Sequence, residues 1–227
     1  MTTFVLVPGA GGWAGLWHRV VAELQDRGHR GVAVGLPGAD PERGLPHYVE
    51  LVRAAVVAAD DDVVLVAQSM GGFTAPTVAS LEPVRELVLL NAMIPAPGET
   101  AGSWWESTGQ LAAFRENEVA QGRDPDAGVD LTTHFLHDVP LEAMAGAGDN
   151  DGDEAEIAFT EPWPLAAWPD VPTRVVAASD DRLFPFAFQE RVAWQRLGQD
   201  VQAVPGGHLA ALSRPTEVTD TLLDAPR

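Results

Sequence analysis

Short apolar runs without polar alternation recur along this chain, and they constrain its fold more than any other feature. Residues 3–7, 31–36, 63–67 and 84–91 are four such runs, ending or beginning at Pro8-Gly9, Pro37-Gly38 and Asp60-Asp61-Asp62. A strand that buries one face alternates apolar with polar; a strand buried on both faces does not. Between the runs, Leu16, Val20, Val21 and Leu24 recur at helical spacing before Gly28, and Tyr48, Leu51, Val52, Ala55 and Val56 form a second amphipathic set. A third helix over 71–81 carries Pro76, which predicts a kink. Strands alternating with helices in this way predict an α/β protein, with a mostly parallel sheet covered by helices on both faces.

The rhythm breaks after the fourth run. From about 95 to 172 no strand pattern is found; the stretch offers helical patches, Trp104, Trp105, Trp163 and Trp168, and an acidic, Gly-rich loop over 145–156. It then resumes with a strand at 173–178, a helix at 186–197, a strand at 201–204 and a terminal helix begun by Pro215. We therefore expect a core of residues 1–97 and 169–227 with a mainly helical cap, 98–168, inserted over the strand ends.

Composition narrows the chemistry. Fourteen basic residues against 33 acidic ones give a net charge of −19. Such a surface disfavours nucleic acid and anionic membranes and is most simply a solubility device. The chain has no cysteine, which excludes disulfides, thiolate metal sites and cysteine nucleophiles. All its basic residues are arginine, which excludes a lysine Schiff base. No apolar run has the length of a membrane span, and MTTFVLVPGA lacks the basic segment of a signal peptide. A cytoplasmic protein acting on a small molecule is expected, as a monomer or a homodimer.

In open parallel sheets ligands collect at the carboxyl ends of the strands. Pro8-Gly9-Ala10, Ser69 and Asn91 all fall there. Ser69 stands in "AQSMGG", between a strand and a helix, with Ala67 two residues before it and Gly71 two after. That pattern fits a turn so tight that neighbouring side chains nearly touch and the serine oxygen is presented above the sheet; an incidental serine in a Gly-rich turn would look the same. A serine nucleophile needs a base. His18, His29 and His47 are most simply surface residues, and His134 and His137 lie in the cap. His208, in "VPGGHLAAL", follows a strand on the same edge as Ser69. The carboxylate that would orient it is Asp180 or Asp181, in "VVAASDDRLFP", and the order Ser…Asp…His suits this architecture. Oxyanion donors are expected from the backbone N–H groups of Met70 and of Ala10, the latter in "VPGAGG". That loop does not give G-x-G-x-x-G and no P-loop lysine exists, so it is not read as a nucleotide site.

"FVLVPGAGGWAGLW", "AQSMGG", "SDDRLFP" and "PGGHLAAL" together resemble the α/β-hydrolase superfamily, and within it the methylesterase and hydroxynitrile-lyase-like branch. The resemblance spans nearly the whole chain and is weakest over 98–168. It implies Asp181 as the acid, four residues before Pro185 as in the family's D-x-x-x-P, and Ala10 and Met70 as the oxyanion donors. Two positions depart from it. Pro8-Gly9 stands where the family has His-Gly, a histidine that braces the loop, and the cap lysine of the cyanohydrin-cleaving members has no counterpart.

The expectation is a cofactor-free serine hydrolase of esters, lactones or thioesters, with Gly9, Gly11, Trp104, Trp105, Phe135 and Trp163 around an apolar pocket. Several of the tryptophans could instead form the core that joins cap to sheet. The alternatives are a cofactor-free lyase or cyclase using His208 as base, and a catalytically silent binding protein. No metal is expected. Asp149, Asp151 and Asp153 lack the glycine and glutamate positions of a calcium loop, and His134, His137 and Asp138 are too few for a metal site.

Overall fold

The structure, a computed structural model, describes residues 1–59, 62–148 and 152–224. Its strands are β1 (Thr2–Val7), β2 (Arg30–Ala33), β3 (Asp62–Ser69), β4 (Glu86–Ala92), β5 (Thr173–Ala178) and β6 (Val201–Val204). They form a single parallel sheet in the order β2-β1-β3-β4-β5-β6. Adjacent residues along each strand feed opposite cores. Phe4, Leu6, Val64, Val66, Val88 and Leu90 face one side, while Val5, Val7, Leu65, Ala67, Leu87 and Leu89 face the other. Both faces are dry, which is why the strands show no polar alternation in sequence.

Helices complete each face. α1 (His18–Asp26), preceded by a 3-10 turn at Ala14–Trp17, packs Val20 and Leu24 on the first face together with α10 (Pro215–Leu223). α2 (Leu45–Val57), α3 (Gly71–Leu81) and α8 (Phe186–Leu197) cover the second. α3 runs through Pro76, and among the described residues it is the one helix with an interior proline. β2 is shorter than expected, stopping at Ala33 instead of residue 36. Beyond it Val34 N–H still bonds Leu6, but the Leu36 N–H turns to the Gly12 carbonyl and Pro37 has none to give. Because β1 connects to β2 on one side through α1 and β2 to β3 on the other through α2, the winding reverses between β1 and β3. That reversal opens a crevice at their carboxyl ends, the place where such sheets bind ligands.

The segment between β4 and β5 carries α4 (Ala101–Ser107), α5 (Gln110–Ala120), a π turn at Leu131–Phe135, α6 (Leu141–Ala145) and α7 (Glu156–Thr160). Its only strand-like pairing among the described residues is an isolated bridge between Thr100 and Pro162. α4 is fixed at its start by a capping box, Thr100 and Ser103 exchanging side-chain to backbone bonds. α9 (Ala210–Ser213), absent from the sequence reading, is a single turn after the His208 loop. Among the described residues no helix is long and apolar enough to cross a membrane.

Candidate active site

β3 ends on Ser69, whose backbone has φ +50°, in the left-handed region. A non-glycine residue there costs on the order of 1–3 kcal/mol and persists only where its surroundings hold it. Here the Ser69 carbonyl accepts the Met93 N–H at 2.9 Å, locking the turn to the end of β4. The neighbours leave no room for side chains. A Cβ on Gly71 would stand 2.7 Å from the Pro8 carbonyl oxygen, and one on Gly9 would stand 2.7 Å from the Ser69 Cβ. The glycines flanking the serine are thus required by close backbone approach.

The three groups singled out on separate strand ends meet. Ser69 Oγ lies 3.1 Å from His208 Nε2, and His208 Nδ1 lies 2.8 Å from Asp181 Oδ2. His208 and Asp181 are almost wholly buried. Asp181 Oδ1 accepts the Leu183 and Phe184 N–H groups at 2.9 and 2.8 Å, and Gln189 donates to Oδ2 at 3.4 Å. With Nδ1 facing the Asp181 carboxyl and Nε2 facing Ser69, the geometry suits the tautomer that donates from Nδ1 and keeps the Nε2 lone pair toward the serine. Asp180, the alternative acid, points outward to His137 Nε2 at 3.2 Å. Phe184 and Phe135 press their rings edgewise on the imidazole at 5.0 and 5.2 Å. The main chain at His208 is also pinned, its carbonyl accepting Gln68 Nε2 at 3.2 Å and Asn91 Nδ2 at 3.1 Å.

The Met70 and Ala10 N–H groups have no hydrogen-bond partner among the described residues, although both belong to turns that are otherwise bonded. Unspent donors beside a serine oxygen are what a developing oxyanion requires. A cavity of about 430 Å³ opens over Ser69 and His208, lined by Gly9, Ala10 and Gly11 on one side and by Leu131, Phe135 and Met144 on the other.

Three of the expected pocket residues do not line this cavity. Trp104 and Trp163 are buried and Trp105 half-buried, away from Ser69. Trp104 packs on Trp105, Phe184 and Phe188 and donates its indole N–H to the Ile94 carbonyl at 3.1 Å, while Trp163 stacks on Trp168. They form the core that joins the insertion to the sheet, where these large rings gain more from burial against other aromatic rings than from a wet cavity wall. Gly9, Gly11 and Phe135 do line the cavity. Of the histidines taken for surface residues, His47 is exposed but His18 and His29 are half-buried. His134 is buried against Glu118, a structural role.

Sequence reasoning missed Trp13, Leu16, Leu136, Leu209 and Glu154 on the cavity wall and Gln189 behind the acid, and it placed Asn91 at the ligand edge without giving it the role of bracing the His208 main chain. Asn91, also at positive φ (+46°), carried a usable signal: a lone amide at the end of an apolar strand. For Glu154 there was none, since it sits in an acidic loop with many equals. The calcium reading of Asp149 and Asp151 falls outside the described residues. Among those described, no group of three or more His, Asp or Glu could hold a metal.

Comparison with known proteins fits this geometry. Residues 4–221 match the alpha/beta hydrolase family. A probable esterase of rice, PIR7A, is 37% identical over 110 residues, covering 44% of this chain and 42% of that protein, so this chain spans less than half the length of that relative. Norfluorocurarine synthase 2 of a Strychnos species is 37% identical over 255 aligned positions, covering 97% of this chain and 94% of that one. The crystal structure of polyneuridine aldehyde esterase superposes with a TM-score of 0.77 at 20% identity, covering 99% and 98% of the two chains. From its sheet, its strained serine turn and these likenesses, the chain belongs to the alpha/beta hydrolase family.

Proposed function

We propose that the protein is a cofactor-free serine hydrolase acting on esters, lactones or thioesters of small to medium apolar molecules in the cytoplasm. The observation that carries this reading is the unbroken hydrogen-bond chain Ser69–His208–Asp181 beside two unspent N–H donors. Ser69 Oγ attacks the carbonyl carbon while His208 Nε2 takes the hydroxyl proton. Asp181 keeps the imidazole in the required tautomer and stabilises the imidazolium. The oxyanion is held by the Met70 and Ala10 N–H groups, each worth about 3–4 kcal/mol to such a transition state. The imidazolium then protonates the leaving oxygen, and the alcohol departs from the acyl-serine. Water, losing its proton to His208, attacks the acyl carbon; the bond to Ser69 Oγ breaks, His208 returns the proton to that oxygen, and the acid leaves.

In this reading residues 98–168 act as a cap on a core of 1–97 and 169–227. The esterase in the names of two similar proteins supports ester hydrolysis here. A fluorophosphonate probe should label the wild type and leave Ser69→Ala unlabelled. A folded wild type that resists the probe would sink the reading.

A second reading, a lyase or cyclase with His208 as general base, is favoured by the relative aligned over nearly its whole length, which is called a synthase. Turnover surviving in Ser69→Ala but lost in His208→Ala would select it.

A further inference from the structure

The loop that carries the Ala10 N–H is rich in glycine and held at few points. Gly9, Gly11 and Gly12 surround Ala10, and Gly11 and Gly12 both sit at positive φ, +82° and +68°. Glycines with this freedom populate several conformations unless something outside the loop selects one. Pro8 has no N–H with which to tie the loop down. The Gly12 N–H turns back to the Gly9 carbonyl at 3.1 Å and the Gly12 carbonyl takes the Leu36 N–H at 3.0 Å, which fixes the far end of the loop; the tie at Gly11, next to Ala10, comes from the segment inserted between β4 and β5. Glu154 Oε2 accepts the Gly11 N–H at 2.7 Å, and Glu154 Oε1 accepts the hydroxyl of Tyr48. Tyr48 is itself buried in α2, so the carboxylate bridges a fixed point of the core to the loop. The chain after Glu154 is fixed as well, the Ala155 N–H donating to the Gly38 carbonyl at 2.7 Å.

Resting on the hydrolase reading above, we propose that Glu154 is a positioning residue: by taking the Gly11 N–H it holds residues 9–12 in the one arrangement that leaves the neighbouring Ala10 N–H free for the oxyanion. The peptide units on either side of Ala10 then have divided duties, one spent on the brace and one kept for the reaction. The inserted segment completes the oxyanion site through this one carboxylate, so it acts on the chemical step and not only on access.

The test uses the whole protein with p-nitrophenyl acetate. Glu154→Ala should lower kcat about 10- to 100-fold, the scale of a misaimed oxyanion donor, with KM within about threefold. Fluorophosphonate labelling should slow in parallel, while the melting temperature and near-UV circular dichroism report that the fold persists. Glu154→Gln should recover kcat to within about fivefold of wild type, because its amide oxygen can accept the Gly11 N–H and its NH₂ can donate to the Tyr48 oxygen. Should Glu154→Ala not fold, Tyr48→Phe serves instead: freeing one carboxylate oxygen should lower kcat about three- to tenfold at unchanged KM. A kcat within about threefold of wild type in Glu154→Ala, a rise in KM alone, or a Glu154→Gln as slow as the alanine variant would each overturn the proposal; if Tyr48→Phe has to serve, an unchanged kcat would do so. Ser69→Ala separates the two readings. If it still turns over substrate, the hydrolase reading fails; if it is dead and Glu154→Ala is not impaired, only the positioning role fails.

Discussion

The parallel sheet and the segment inserted between β4 and β5 differ in the balance of forces that holds them: apolar burial dominates the first, and the second adds ion pairs at a few points to a smaller apolar core. In the sheet, Leu65, Leu87 and Leu89 are completely buried among other apolar side chains, and what fixes them is area removed from water. The insertion buries apolar side chains as well, Trp104, Phe114 and Trp163 among them, but it also buries ion pairs at points where it is tied down. Glu118 on α5 is gripped by Arg123 through three N–H···O contacts of 2.6–2.9 Å and by His134 at 3.2 Å. Glu99 is held by Arg196 and takes the Ala96 N–H at 2.9 Å. A non-directional force over a large area gives a stiff platform, and Ser69, Asp181 and His208 all hang from it. Directional contacts at a few points fix a small segment only where they occur, and that segment supplies Phe135, Leu131 and Glu154 to the cavity. The groups proposed to react thus stand on the part held mainly by apolar burial, and the cavity's other wall on the part that adds ion pairs.

The largest expected effect probes the platform. Leu89→Ala, in β4 between Ala67 and Val175, should cost about 2–5 kcal/mol, since the sheet cannot collapse into the space left. Urea unfolding should show a lower midpoint at unchanged slope. A loss below about 1 kcal/mol would mean that the platform relaxes, and the contrast with the insertion would be gone.

The two regions also differ in how far they can be read from sequence. Strands 173–178 and 201–204, the 186–197 helix and the terminal helix at Pro215 coincide with the structure, because periodicity and punctuation are local signals of burial. The meeting of Ser69, His208 and an acid from 180–181 was legible for the same reason, since each closes or follows a recognisable strand, while the choice of Asp181 came from the resemblance to the family's D-x-x-x-P. The insertion resisted because its order depends on partners distant in the chain. Nothing near Trp104 tells that its indole will meet Phe184 and the Ile94 carbonyl rather than a substrate. Nothing near Glu154 points to Tyr48, more than a hundred residues away. Even β2 was overrun by three residues, because Gly12 competes for the Leu36 N–H from outside the strand.

A smaller effect should appear in Glu118→Gln, about 1–3 kcal/mol, from weakening a buried ionic cluster while keeping its shape. It should be local, with faster hydrogen exchange at α5 amides and none at β3 amides. Burial acts to raise the Glu118 carboxyl, but the hydrogen bonds and charges of Arg123 and His134 outweigh it and hold it below the usual carboxylate range. Its stabilisation is therefore present above the unfolded carboxylate value near ~4.3 and is lost as pH falls through the lower folded value. The stability difference between wild type and Glu118→Gln should shrink on acidification from about pH 6 to about pH 3. A difference that holds constant over that range would remove the ionic account of the insertion.

The smallest effect has the opposite sign and comes from the same inserted segment. Burial pushes the Glu154 carboxyl up, and although the Tyr48 hydroxyl and the Gly11 N–H both favour the ionised form, they do not offset it. A raised folded value means that the group's contribution is fully present below the unfolded value near ~4.3 and is lost as pH rises through the folded one. Glutamine at this position does not titrate, so the melting-temperature difference between wild type and Glu154→Gln isolates the carboxyl. That difference should favour the wild type most at low pH and diminish as pH rises from about 4 upward, while the Glu118 difference grows over the same range. Two carboxyls of one segment moving in opposite directions would show that the insertion is fixed point by point, each contact with its own electrostatic balance. If both differences moved together with pH, the segment would be responding as a unit to net charge, and its contrast with the sheet would reduce to surface repulsion.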